Sequence, residues 1–305
     1  MKIIFIHGMN QQNYSAESLK QHWIDIFQQG IDELQINFNT HDLKIALPFY
    51  ADLLIKHQLS NSFDLDHFLP KSLLEYHLHK NNQTVKPLII QPNKEIPPLP
   101  YFQPKQDLKL SAHLYLLSQL IKDKALKEFV SILNNFPKLH ENLIHKFLIE
   151  TYLYLANPEF MNEVHQRILT SFEENEEHII VAHSLGTVIA YRLLQQLKSK
   201  YCIQRFITLG SPLAFKVIQS KLIQPIVRPT SLHGEWFNFY SSDDFLTTFP
   251  LVNYPFNFNP RIINTAISTF INSPHEIVGY LQHPAVIQNI LDPILNPNLC
   301  IPCHF

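Results

Sequence analysis

Residues 178–194 constrain the fold more than any other part of the chain, because they join two apolar patterns through one abrupt turn. They read His-Ile-Ile-Val-Ala-His-Ser-Leu-Gly-Thr-Val-Ile-Ala-Tyr-Arg-Leu-Leu, a continuous apolar run followed by a helical pattern. Continuous apolar runs are typical of parallel strands that are buried on both faces. The segment therefore predicts a strand over 178–183 and a helix over 185–199 in an α/β protein.

Strands and helices alternate in this way at both ends of the chain, which predicts a mostly parallel central sheet flanked by helices. The predicted strands are residues 2–6, Leu43 to Pro48, 203–209 and 235–240. The predicted helices are Ala16 to Gln29, capped by Gly30, and the terminal helix 276–292.

Residues 55–150 break this alternation and predict a large, mainly helical insertion. A proline-rich stretch from Pro87 to Pro104 is followed by helical patterns over 108–136 and 139–155. The expected organisation is a first part of the core in 1–54, the insertion or lid in 55–150, and a second part of the core in 151–305. The apolar side chains of the insertion either roof a site or only pack on the sheet.

Composition and charge exclude several classes of protein. Charged residues make up 16% of the chain and the formal net charge is −2, so no positive field favours a phosphate backbone. The longest apolar runs, such as Ile3 to Ile6, are far shorter than the roughly 20 residues of a membrane helix. The start of the chain also lacks the apolar stretch of a secretory signal. We expect no nucleic-acid partner, no transmembrane segment and a cytoplasmic location.

Ser184 is the candidate nucleophile. The sequence Ala182-His183-Ser184-Leu185-Gly186 follows the G-x-S-x-G pattern of a strand–turn–helix elbow, with alanine in place of the first glycine. Such a turn places the serine hydroxyl above the sheet, where a new helix begins. The alternative is that Ser184 only caps that helix.

An attacking serine needs an imidazole to take its proton and a carboxylate to orient the imidazole. The acid is expected after a strand that follows the serine, where Asp243 and Asp244 both qualify. Of the later histidines, His275 lies in a loop before the last predicted helix, whereas His283 falls inside that helix and His304 adjoins the terminus. His275 is therefore the candidate base, unless it only bonds to backbone at a helix start.

The oxyanion of an acyl intermediate needs two preorganised donors. The N–H of Leu185, directly after the candidate nucleophile, is one candidate. The loop after the first strand supplies the other, with the N–H of Met9 as the donor and Asn10 behind it. His7 precedes the serine in the chain, so it is expected to pack or to hydrogen-bond beneath this loop.

These motifs together resemble the α/β-hydrolase superfamily, and more narrowly a group of bacterial hydrolases that begin at a His-Gly strand. The matching segments are 5–12, 47–54, 181–188, 208–213, 236–244 and 275–281. The resemblance implies the α/β-hydrolase fold and hydrolytic chemistry, but not the substrate. In this family a hydrophobic pair follows the acid after a W-x-N strand, which selects Asp244 over Asp243.

Three further residues lie near the expected site. Tyr50 and Asp52 match the family segment after the second predicted strand, and strand ends face the site in an open α/β sheet. They are expected to line the pocket or support it, with hydrogen bonding inside their own loop as the alternative. His183 has the same expected place, whereas Ser211 before Pro212 is expected only to cap a helix.

The three cysteines predict no cofactor. Cys300-Ile301-Pro302-Cys303-His304 matches the attachment pattern of c-type haem, but haem attachment requires export. Cys300 and Cys303 are expected to be free thiols, and Cys202 makes the count odd, as in a reducing compartment. A zinc site lacks a fourth ligand, so we expect no metal.

The predicted function is that of a serine hydrolase that cleaves a small-molecule carboxylic ester through an acyl-enzyme. The same three groups also serve thioesterases, amidases or peptidases, and acyltransferases. A different class is a non-catalytic binding scaffold whose insertion contacts a partner.

Overall fold

The computed structural model describes residues 1–8, 11, 13–56, 150–151, 154–155, 157–197, 201–244, 247, 249–270 and 273–303. These residues form a six-stranded sheet with the order β2-β1-β3-β4-β5-β6, in which every neighbouring pair is parallel. The strands are β1 (Lys2–Ile6), β2 (Lys44–Ala46), β3 (Glu177–His183), β4 (Cys202–Leu209), β5 (Leu232–Tyr240) and β6 (Ile263–Ala266). The prediction of a parallel α/β sheet is confirmed.

Seven α-helices accompany the strands in the described part of the chain. They are α1 (Ala16–Glu33), α2 (Ala51–Lys56), α3 (Pro158–Leu169), α4 (Leu185–Gln196), α5 (Lys216–Gln219), α6 (Ile277–Leu281) and α7 (Pro284–Leu295). Local sequence explains where several of them begin. Ser15 and Ser18 form a reciprocal capping box at α1, and the Asn157 side chain caps α3, whose first residue is Pro158.

Apolar side chains fill the space on both faces of the sheet. Successive residues of a strand point to opposite faces, so Ile4 and Ile6 belong to one core cluster while Ile3 and Phe5 belong to the other. Helices α3 and α4 pack in the first cluster, and α1 and α7 pack in the second. This double coverage explains why β1 and β3 read as continuous apolar runs.

The strand order creates the place for a site. β1 is followed in the chain by β2 on one side, whereas its neighbour β3 is followed by β4 on the other side, so the connections from β1 and β3 run in opposite directions. The carboxyl ends of strands at such a reversal border a crevice, where ligands bind in open α/β sheets. Ile6 pairs with Ala182 at this end of β1 and β3, so the segments after both strands lie side by side.

One predicted helix and one predicted strand have different bounds in the structure. The predicted helix Ala16 to Gln29 runs on to Glu33, and Gly30 lies inside it rather than capping it. A side chain at Gly30 would meet Ile287 and Gln282, so close packing between α1 and the last helices explains this glycine. The predicted strand Leu43 to Pro48 is reduced to Lys44–Ala46.

The predicted terminal helix 276–292 is two helices, α6 and α7. Pro284 disfavours helical geometry at the preceding residue, so His283 is extended and its side chain caps α7. His283 was therefore wrongly placed inside a helix. Helix α3 and the short strand β6 were not predicted. β6 has four partly exposed residues and lies at the sheet edge, which leaves little apolar pattern to recognise.

The predicted insertion 55–150 lies outside the described residues, apart from its ends at 55–56 and 150. Its helical runs and its contacts with the site therefore stay predictions. The two predicted parts of the core are joined in one sheet, because β1 from the first part pairs with β3 from the second. Among the described residues, no helix has both the length and the apolar character needed to cross a membrane.

The expectation that Cys303 is a free thiol was wrong. Cys202 at the start of β4 forms a disulfide with Cys303, and their Cα atoms lie 6.1 Å apart. Cys300 is free. The Gln204 side chain holds the terminal segment against β4 by hydrogen bonds to the backbone N–H and oxygen of Ile301. The two cysteines of the disulfide lie 101 positions apart, so no local sequence pattern indicates their pairing. With two of the three cysteines paired, the odd cysteine count no longer supports a reducing compartment.

Candidate active site

Ser184 occupies a strained turn between β3 and α4. Its backbone has φ 55° and ψ −129°, a conformation that residues with a side chain rarely adopt. The turn is held by the Ser184 N–H, which donates to the Leu209 oxygen, and by Thr187, whose N–H and hydroxyl both donate to the Ser184 oxygen. The Ser184 side chain makes no capping hydrogen bond, so the alternative of a plain helix cap is not supported.

Two glycines allow the backbone to close around this turn. A Cβ atom at Gly186 would lie 2.4 Å from the backbone oxygens of Ile6 and His7. A Cβ atom at Gly8 would lie 2.8 Å from the Cβ of Ser184. Because neither position has room for a side chain, the segment after β1 can lie directly against the serine.

His275 connects Ser184 with Asp244. Its Nε2 lies 2.7 Å from the Ser184 Oγ, and its Nδ1 lies 2.7 Å from the Asp244 Oδ2. This geometry fits a tautomer in which Nδ1–H donates to the carboxylate and Nε2 accepts from the serine hydroxyl. Ser184 and Asp244 are buried, and the side chain of His275 is 10% exposed. The three groups thus form one hydrogen-bonded line with little access for water.

The competing residues lie elsewhere. Asp243 is exposed, and its backbone N–H donates to the Ser241 hydroxyl. The His283 side chain accepts from the Ala285 N–H as the cap of α7. Ser211 caps the short 3₁₀ turn Pro212–Ala214, as expected of a structural serine. His304 lies outside the described residues.

Two further side chains, those of Tyr280 and His183, make hydrogen bonds to Asp244 and to the backbone of His275. Tyr280 of α6 donates a hydrogen bond of 2.6 Å to the Asp244 Oδ2. The Nε2 of His183 lies 3.0 Å from the backbone oxygen of His275, so His183 supports the site rather than lining a pocket. Sequence reasoning assigned no role to Tyr280. Its position five residues after His275 was the only signal, and that spacing alone does not predict contact with an acid 36 positions earlier.

His7 and Tyr50 form a buried unit below the loop after β1. The His7 Nδ1–H donates to the Gly8 oxygen, its Nε2 accepts from the Tyr50 N–H, and the Tyr50 hydroxyl donates to the His7 oxygen. The two rings are stacked with centroids 3.8 Å apart. Burial lowers the pKa of His7 to about 4, so this imidazole is neutral near pH 7. With both ring nitrogens engaged, His7 supports the loop, in agreement with the sequence expectation.

Tyr50 and Asp52, which had the same expected role, lie in different surroundings. Tyr50 lines a narrow pocket together with Gly8, Leu185 and Ile189. Asp52 is half exposed and forms an ion pair with Arg167 of α3, which also donates to the Phe49 oxygen. Asp52 lies in α2 and therefore ties that helix to α3, which is a contact between two elements rather than the expected bonding inside its own loop.

One of the two expected oxyanion donors is described. Leu185 is the first residue of α4, so its N–H has no partner within the helix and is free to face a bound group. Met9 and Asn10 lie outside the described residues, and their expected roles stay predictions.

Residues that could hold a metal come together once in the described part of the chain. Ligand atoms of Glu177, Cys202 and Cys303 lie within 4.8 Å of one another. Both sulfurs belong to the disulfide, so they do not offer thiolates. This cluster is at the opposite end of β3 from Ser184, because Glu177 begins that strand.

The chain matches no protein-family model, and no curated protein matches it.

Proposed function

We propose that this protein is a serine hydrolase of the α/β-hydrolase fold that cleaves a small-molecule carboxylic ester through an acyl-enzyme. The observation that carries the proposal is the pair of 2.7 Å contacts that join Ser184, His275 and Asp244. A serine hydroxyl in contact with an imidazole, itself oriented by a buried carboxylate, has the arrangement of an activated nucleophile.

In the first step, the Ser184 Oγ attacks the ester carbonyl carbon while its proton passes to the His275 Nε2. Asp244 accepts from the Nδ1–H and stabilises the imidazolium that forms. The oxyanion lies against the N–H of Leu185, and the N–H of Met9 is the second donor of the proposal. His275 then protonates the departing alcohol oxygen as the carbon–oxygen bond breaks.

In the second step, water attacks the acyl-enzyme carbonyl and gives its proton to the His275 Nε2. The Ser184 Oγ leaves and recovers that proton, which releases the carboxylic acid and restores the site. These steps require no metal or cofactor, because every proton moves between the substrate, water and His275.

A fluorophosphonate probe tests the nucleophile. The parent protein should label at Ser184, and Ser184→Ala should neither label nor hydrolyse nitrophenyl esters. Ser211→Ala is the matched control, because Ser211 is also a buried serine near the turn at Ser184. Its hydroxyl lies 2.8 Å from the hydroxyl of Thr187, in the helix α4 that begins after Ser184. The control should keep labelling. A parent protein that does not label would favour the non-catalytic scaffold.

A substrate panel tests the bond that is cleaved. We expect oxygen esters to exceed matched thioesters and amides in kcat/KM, and the reverse order would favour a thioesterase or amidase.

A series from acetyl to octanoyl esters tests the role of the insertion, because a roofed apolar pocket gains about 0.8 kcal/mol of binding free energy per buried CH₂. Activity that falls steadily from acetyl onward would contradict a role of the insertion in binding acyl chains.

A further inference from the structure

Tyr280 lies behind the proposed catalytic groups and contacts the acid. It is fully buried, and its hydroxyl lies 2.6 Å from the Asp244 Oδ2. The same oxygen is 2.7 Å from the His275 Nδ1. One carboxylate oxygen of Asp244 therefore accepts hydrogen bonds from both the Tyr280 hydroxyl and the His275 imidazole. The proposed reaction gives the Tyr280 hydroxyl no role.

The hydrogen bonds around Tyr280 have a defined direction. Burial, followed by the charge of Asp244, raises the pKa of the Tyr280 phenol far above its ordinary value, so the hydroxyl keeps its proton and donates it to the carboxylate. The Thr247 hydroxyl, 3.0 Å away, is then the donor to the Tyr280 oxygen. The Ser241 N–H donates to the Thr247 Oγ1 over 3.4 Å. These donors form a chain that ends on Asp244.

We propose that Tyr280 is a positioning residue of this site, whose hydroxyl fixes the Asp244 carboxylate in the orientation that accepts from His275. The inference rests on the proposed function. The physical need arises because the terminal torsion of an aspartate is broad, so each donor that contacts the carboxylate narrows the range of its orientations. Tyr280 donates to the same oxygen that faces His275, and it therefore restrains the oxygen that the imidazole needs.

The placement of Tyr280 also links the acid to the base. His275 lies two residues before α6 and Tyr280 is the fourth residue of that helix, and both contact the Asp244 Oδ2. A displacement of this segment would move both contacts together. Rigid support of this kind is what keeps catalytic groups in productive geometry.

Tyr280→Phe tests the inference, because it removes the hydroxyl and keeps the ring. We expect kcat to fall by roughly fivefold to twentyfold with KM unchanged, as for the loss of one hydrogen bond that serves the reacting groups. The matched control is Tyr191→Phe. Tyr191 is also fully buried and donates to the Val227 oxygen, but it packs in the core cluster on the other face of the sheet. The control should keep kcat within twofold.

A double-mutant cycle tests whether Tyr280 acts through Asp244. In an Asp244→Ala background, adding Tyr280→Phe should leave the rate of fluorophosphonate labelling unchanged, because the hydroxyl has lost its target. Thr247→Val is a second variant that keeps the shape of its side chain, and it should lower kcat in the same direction by a smaller factor. If Tyr280→Phe does not fold, the kcat of Thr247→Val tests the inference in its place.

Three results would overturn the inference: parental kcat in Tyr280→Phe, a change in KM alone, or an equal further loss in the Asp244→Ala background. Parental kcat in Thr247→Val would overturn it where Tyr280→Phe does not fold. Absence of labelling in the parent protein would instead overturn the proposed function, and the inference with it. The two failures are thus distinguishable, since the first three results require a parent protein that labels.

Discussion

The Nε2–H of His183 donates a hydrogen bond of 3.0 Å to the backbone oxygen of His275, and the two ring centres lie 5.0 Å apart. Burial, followed by the nearby His275, lowers the pKa of His183 well below 6.5. His183 is therefore neutral near pH 7 and serves as a donor. The residue before the proposed nucleophile thus holds the backbone of the proposed base, although 92 positions separate them.

We expect His183→Ala to lower kcat/KM by about tenfold, because the loop that carries His275 loses a fixed anchor. His178→Ala is the control. His178 is a buried histidine near the other end of the same strand, where it accepts from the Glu173 N–H. Steady-state kinetics and thermal unfolding of both variants check the prediction. Equal losses of activity in the two variants would show a general effect on β3 rather than an effect on the base.

Asp244→Asn should reduce turnover by about 10⁴, because an amide stabilises the wrong tautomer of the imidazole. Asp243→Asn should keep nearly all activity, since Asp243 is exposed, whereas the carboxylate that contacts His275 belongs to Asp244. The measurement is kcat for a nitrophenyl ester with both variants at the same pH. A larger loss for Asp243→Asn would move the acid to that residue.

Gly186→Ala should destabilise the protein by more than about 3 kcal/mol, because backbone oxygens cannot move away from a new side chain as flexible groups can. The Cβ atom would lie 2.4 Å from two backbone oxygens of β1 and the loop after it. Gly279→Ala is the matched control in α6, where the nearest atom is the Thr269 Cβ at 3.2 Å. Urea unfolding should show a change within about 1 kcal/mol for the control. Similar stabilities for the two variants would contradict the close crossing of β1 and α4.

Stability should fall as the pH falls from about 6.5 to about 4. Burial lowers the pKa of His165 to about 4, and the same holds for His7. Between these values the unfolded chain binds protons that the folded chain does not, so acid favours unfolding. A shift of this size corresponds to about 2 kcal/mol per histidine between pH 7.5 and pH 5.

The variant His165→Gln tests this prediction, because it removes one buried imidazole and leaves the others, His7 among them, in place. Its free energy of unfolding should decline less between pH 7.5 and pH 5 than that of the parent protein. An unchanged decline would show that His165 titrates normally in the folded state.

The strand, turn and helix around Ser184 could be predicted from the sequence because their causes are local. A continuous apolar run needs burial on both faces, and the small residues two positions before and after the serine, Ala182 and Gly186, permit a tight turn. The same local reasoning placed β1, β4 and β5 to within a few residues. It failed at His283, where Pro284 ends one helix and starts another, and at β6, whose edge position leaves little apolar pattern.

For the candidate site, sequence supplied Ser184 and His275 through motif and chain order, but spacing alone left Asp243 and Asp244 equal. Only the resemblance separated them, and the geometry agrees with its choice by burying Asp244 against His275. Tyr280 could not be found from spacing, because its contact depends on how α6 docks on the loop after β5.

The sequence by itself thus determined the strands β1 to β5 and the helices α1 and α4, which of their side chains are apolar, and where one strained turn occurs. Only the tertiary structure decided which distant side chains meet: Tyr280 with Asp244, His183 with the backbone of His275, and Cys202 with Cys303. The physical reason is that local patterns follow from neighbours along the chain, whereas these contacts follow from strand order and helix docking. Those arrangements are set by the packing of the whole core.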